Sequence, residues 1–188
     1  MNAWTVTPLK LASLMMVCPF SVGWSQELVG DEGLPEQEKV RDVQDQMARF
    51  QKDFGQVLAS DDKATIWWAG PNYNVFRETA TPGERAAGVT LSAAGNEYEP
   101  FQLVVTPDSD MSGVSVELTD LTGPVGSVIS KENIQVMEVA YVPVTSSIVY
   151  AEPGDYPDPL PLLEAPIDLV DGENQPFWIT VYVPDNTP

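Results

Sequence analysis

The chain has 188 residues, 28 acidic against nine basic, for a formal net charge of −19, and it contains no histidine and a single cysteine, Cys18. Without an imidazole, Ser-His-Asp and Cys-His nucleophilic systems cannot be assembled, and zinc sites built from His and Cys ligands fall with them. The acid excess also excludes nucleic acid as a partner, because phosphate binding draws on clustered Lys and Arg, and it repels an anionic membrane surface.

From the N-terminus, Lys10 followed by the apolar run Leu11 to Val22 reads as the charged and hydrophobic parts of a secretory signal. The run is too short to span a bilayer. Small residues at Ser21 and Gly23, or at Gly23 and Ser25, suit a cleavage site, so residues 1–25 are expected to leave as a signal peptide. Cys18 would leave with them; its lipidation instead would put the bulky Val17 where a small residue belongs. Cleavage implies a secreted protein, periplasmic or extracellular, with no membrane insertion afterwards. It removes Lys10 and no acid, so the mature charge is −20. Acid on that scale serves solubility.

Residues 26–62 read as an acidic linker and one amphipathic helix. Val40, Val43, Met47, Phe50, Phe54 and Val57 recur at alternating spacings of three and four, which predicts a helix over Pro35 to Ala59. Fewer than three heptads rarely hold an isolated coiled coil, so the stripe is expected to lie on its own domain rather than to dimerise, and the protein to be a monomer.

Residues 63–188 turn to strand patterns. Runs at Ala64 to Ala69, Ala87 to Ser92, Tyr98 to Thr106, Val114 to Leu118, Ile134 to Thr145, Ser147 to Tyr150 and Phe177 to Val183 carry β-branched and aromatic residues. Phe177, Ile179, Val181 and Val183 alternate, so one face of that strand is buried and Trp178 points the other way. Seventeen prolines and thirteen glycines punctuate the chain. Short strands joined by turns predict an all-β, antiparallel β-sandwich. Between Tyr150 and Gly172 a proline- and acid-rich stretch is expected to be a long surface loop.

Three stretches in order, Asn96-Glu97-Tyr98-Glu99-Pro100-Phe101, Tyr156-Pro157-Asp158-Pro159-Leu160 and Asn174-Gln175-Pro176-Phe177-Trp178-Ile179, resemble the N-terminal β-sandwich domain of glycoside hydrolase family 123 and related secreted glycosidase-like proteins. The resemblance runs from Ala64 to Pro188. It implies a catalytic (β/α)8 barrel after this domain, acting on N-acetylhexosamine glycans by substrate-assisted hydrolysis with an adjacent Asp-Glu pair. Such a barrel needs about 200 residues or more, so the chain reads as stopping before it. Asp31-Glu32 is not that pair, because no barrel strand holds it.

Candidate sites are few. Glu97 and Glu99 flank Tyr98 and share one side of a strand, where they bind either a sugar hydroxyl or a cation, or else backbone amides or an Arg at a strand edge. Trp67 and Trp68 face opposite ways, and an outward Trp beside Tyr73 would offer a sugar platform unless both indoles are packed. Trp178, with Tyr156 and Asp158 of the proline-rich stretch, is expected at a domain interface. Glu152, Asp155, Asp158 and Glu164 match no calcium-loop spacing and read as solvated acid. No catalytic residue, metal or cofactor is assigned to the chain. The reading is a non-catalytic domain that shapes a following barrel, with a glycan as a further partner; the alternative is a stand-alone carbohydrate-binding or adhesion module.

Overall fold

A computed structural model describes residues 54–123, 127–146, 153–185 and 187, together with the backbone path of residues 2–6. Its centre is a five-stranded antiparallel sheet of β2 (Gly55–Ser60), β3 (Ala64–Ala69), β5 (Glu97–Pro107), β13 (Gln175–Val183) and β9 (Ile134–Glu138), in the spatial order 2-3-5-13-9. The two longest strands, β5 and β13, pair over nine residues from Gln175↔Val105 to Val183↔Glu97. Among the described residues there is no α-helix, only a 3-10 turn at Lys131–Asn133 capped by the Ser130 side chain.

The sandwich closes over one face of this sheet. Ile66, Phe101, Leu103, Val105, Phe177, Ile179, Val181 and Val183 meet a second layer of two-stranded pieces. These are β4 (Val89–Ala93) paired with β1 (Asn2–Val6), β6 (Met111–Val114) with β12 (Ile167–Leu169), and β7 (Leu121–Thr122) with β8 (Val128–Ile129). The expected strand at Val114 to Leu118 is displaced toward Met111; Val116 and Leu118 still pack on the core. Strand β1 lies within the stretch read as a signal peptide.

The opposite face is half covered, which the alternation pattern did not convey for the middle strands. Trp67, Ala69, Val57, Val75 and Val104 form a second core there, so that Phe101 to Val105 of β5 are buried without interruption. The cover is the loop 70–79, and two buried amides hold it. Gln102 donates from Nε2 to the carbonyls of Gly70 and Tyr73 at 3.0 and 2.7 Å. Asn174 donates from Nδ2 to the carbonyls of Phe76 and Thr79 at 2.9 and 2.7 Å, and its Oδ1 accepts from the Thr106 hydroxyl at 2.6 Å. That hydroxyl in turn accepts the Trp67 indole N–H at 2.9 Å. Buried polar groups on a structureless loop must find partners, and here the sheet supplies them.

The helix expected over Pro35 to Ala59 is corrected at its end: Gly55–Ser60 is a strand paired with β3, with a register shift between Val57 and Ala59. Gly55 sits so tightly on β3 that a Cβ there would run into the Trp68 carbonyl oxygen. The rest of the stripe, Val40 to Phe50, lies outside the described residues. The proline-rich stretch is less irregular than expected. After β10 (Tyr141–Val144) pairs with β11 (Gly154–Pro157), residues 158–163 run along the outer edge of β9. The Pro161 and Pro159 carbonyls accept from the Glu138 and Ala140 amides, both at 2.9 Å. Prolines serve there because acceptance needs no N–H.

Asn174→Ala is expected to lower unfolding free energy by about 2–3 kcal/mol, since several buried groups lose partners at once, and Asn174→Asp, which replaces the donor by an acceptor, to be at least as damaging. Urea denaturation followed by tryptophan fluorescence measures both.

Candidate functional site

The residues expected to bind sugar are divided between the two faces of the sheet. Trp67 is 0% exposed, edge-on to Phe54 at 5.5 Å between ring centroids. Tyr73 leans on the same Phe54 ring at 5.9 Å. Trp67 therefore offers no ring face to a ligand. Trp68, its neighbour in sequence, packs half-buried against the sandwich core on the other side. Its indole N–H is buried without a hydrogen-bond partner, unlike that of Trp67.

Glu97 belongs to a turn. Asn96 adopts a left-handed backbone, φ 63°, which Asn tolerates better than most residues, and its N–H reaches the Val183 carbonyl at 2.7 Å. The Glu97 Oε2 closes the turn by accepting the Ala94 amide at 2.7 Å. Burial raises the Glu99 carboxyl above its ordinary range, and the charge of Glu97 adds to this. The two carboxylates are thus within each other's field, and the Asn-Glu-x-Glu-Pro stretch is in the first place a turn-and-strand device.

At the expected interface, Tyr156 stands edge-on to Phe76, 5.3 Å between centroids, and so helps hold loop 70–79. Asp158 is exposed at the start of the edge segment, its amide donating to the Ala140 carbonyl at 3.2 Å. Trp178 lies half-buried on the sheet face away from the sandwich core, in register with Gln102 and Met137. Met137 in turn opposes Leu162, which is 55% exposed. Trp178, Met137 and Leu162 thus form an apolar row across three neighbouring chain segments.

Two features escaped the sequence reading. Arg77 lies over the Tyr141 ring, 4.2 Å from its centre, and pairs with Glu173 at 2.9 Å and Asp155 at 3.4 Å. The buried Tyr141 hydroxyl, its ionisation pushed well above the usual phenol range by desolvation, donates to the Val75 carbonyl at 2.9 Å. The second feature is an exposed aromatic pair beyond the apolar row. Tyr98, 67% exposed, leans on Tyr182 directly across β13, with centroids 4.7 Å apart and planes inclined 33°. Among the described residues no group of three or more His, Cys, Asp or Glu side chains comes together to hold a metal.

Comparison with known proteins places this architecture. The family model of the glycoside hydrolase 123 N-terminal domain matches residues 68–188. The chain belongs to that family. The solved structures similar to this glycoside hydrolase 123 N-terminal domain include a family 123 glycoside hydrolase from Clostridium perfringens, described for glycolipid glycan hydrolysis. It is 17% identical, with a TM-score of 0.45. The match covers 51% of this chain and 17% of the clostridial one. No curated protein matches.

Because the folded-state pKa of Glu99 is raised, its charged form destabilises the domain. That penalty is absent below the ordinary glutamate value of 4.5 and grows as pH rises through it. Glu99→Gln is expected to raise the melting temperature at neutral pH and to leave it unchanged near pH 3, about a unit and more below that value; thermal scans across pH check this. Trp67→Phe, which takes from the Thr106 hydroxyl the bond it accepts and leaves a void in a fully buried site, is expected to cost about 2 kcal/mol more than Trp68→Phe, which removes an already unpartnered donor, as measured by urea titration.

Proposed function

We propose that this is the non-catalytic N-terminal β-sandwich of a secreted glycoside hydrolase acting on N-acetylhexosamine-containing glycans, and that it supports a (β/α)8 barrel later in the same polypeptide. The observation that carries the reading is the row Trp178, Met137 and Leu162, on the sheet face turned away from the sandwich core. Aromatic residues and Met are enriched at the centres of interfaces, where charge is depleted. Membership of the family supports a catalytic partner in the same chain, and of the two carboxylates flanking Tyr98, Glu97 is engaged in the fold as a turn closure. A stand-alone carbohydrate-binding or adhesion module is the alternative, favoured by the exposed ring of Tyr98.

Reading the encoding DNA beyond the codon for Pro188 tests the assignment. An open frame of several hundred codons with an adjacent Asp-Glu pair on a barrel strand is expected; an immediate stop codon defeats it. Secretion has its own measurement. Removal of residues 1–25 would take Asn2–Val6 away from β4, so an intact mass beginning at Gln26 in the exported protein supports a leader. A retained N-terminus supports the strand instead.

A further inference from the structure

We infer that Tyr98 and Tyr182, with Glu132, Asn133, Gln135 and Thr180, form a binding groove for a neutral pyranose sugar on the open face of the five-stranded sheet. These six residues, with Ile134, line an open depression of about 250 Å³. They converge from four elements: the 3-10 turn, β9, the far half of β13 and the start of β5. The sugar-binding residues expected from sequence are not among them.

The chemistry suits a sugar ring on three counts. First, Tyr98 presents its ring to solvent and is buttressed rather than loose. Tyr182 supports it from across the strand pair, and the Tyr182 hydroxyl is fixed by donation to Asn96 Oδ1 at 2.9 Å. An aromatic body with a polar tip is an amphipathic surface of the kind that accepts the apolar C–H face of a pyranose. Second, the walls are polar: Asn133 and Gln135 each carry a donor and an acceptor, Thr180 a hydroxyl and Glu132 a carboxylate, a set matched to ring hydroxyls. A protein interface core would be depleted in such charge, as the neighbouring Trp178 row is. Third, size and charge bound the ligand. The depression lies near the lower end of small-molecule sites, about 300 Å³, which fits one ring better than a long chain. Glu132 within a chain of net charge −19 disfavours sialylated or sulfated sugars. Sugar binding here requires no following barrel, so its success or failure is separate from that of the enzyme assignment.

The test is a titration of the isotopically labelled full chain with N,N′-diacetylchitobiose, and in parallel with a sialylated trisaccharide, read by amide chemical shifts. Saturable shifts at the Asn133 and Gln135 side-chain amides are expected, with a Kd of about 1 mM as suits a single stacked ring, and none with the anionic sugar. Tyr98→Ala should raise Kd at least about tenfold, a loss of about 1.4 kcal/mol, while lowering the melting temperature only by the few degrees that loss of one cross-strand aromatic pair costs, whereas Tyr98→Phe keeps the ring and should bind as the parent does. The inference is overturned if the neutral sugar gives no shifts, if shifts centre on Trp178 and Leu162, or if Tyr98→Ala titrates unchanged. It is equally overturned if Tyr98→Ala instead weakens association with a barrel in the longer protein while sugar does nothing, since the groove would then be an interface between domains.

Discussion

The half of the sheet that carries Trp67 could not be buried without the two amide side chains that fasten loop 70–79 to it. Gln102 and Asn174 together donate to four carbonyls of that loop, and each is almost wholly buried. A loop rich in Gly, Pro and Asn has no ladder of its own to join, and its carbonyls can be covered only if the sheet provides donors. With the loop in place, Val75 completes the second core and the Tyr141 hydroxyl finds its acceptor. Asn174 matters most because it also closes the line from Trp67 through Thr106, linking β3 and β5 through side chains to the residue that precedes β13, in a region where hydrogen bonds are screened little by water.

This arrangement divides the outer sheet face into zones of different chemistry. One end is sealed by loop 70–79 and β10–β11. The middle carries Trp178 between Gln102 and Met137, apolar and only partly covered. The far end carries Tyr98 and Tyr182 amid polar side chains. The sandwich layer on the other face leaves all of this free, so the domain's outward chemistry is concentrated on one side.

Much of the sheet was legible in the sequence because its strands alternate or carry dense β-branched and aromatic runs. Ala64 to Ala69 has the predicted bounds, and Phe177 to Val183 lies within β13 with Trp178 turned away from the sandwich core as expected. Phe54 and Val57 misled because a spacing of three satisfies a helical stripe, whereas Gly55–Ser60 pairs with the strand that follows it, β3, and the register shift between Val57 and Ala59 breaks the alternation that would have marked it as a strand. The site was less legible because its contacts are long-range. Tyr98 meets Tyr182 only because β5 and β13 align in one register across more than eighty residues, and Asn174 acts on a loop almost a hundred residues earlier. Neither relation leaves a local signature, whereas the Asn96-Glu97 turn, being local, could have been read from the backbone preference of Asn.

Arg77 gives the domain a divided response to ionic strength. With 28 acidic residues against nine basic ones, the chain repels itself, and added salt relieves that repulsion throughout. The same salt weakens the partly exposed pairs from Arg77 to Asp155 and Glu173, while the neutral amides of Gln102 and Asn174 hold their carbonyls unaffected. In brine the domain would thus be more compact as a whole and looser where β11 meets loop 70–79, its firmest fastening being the one that carries no charge.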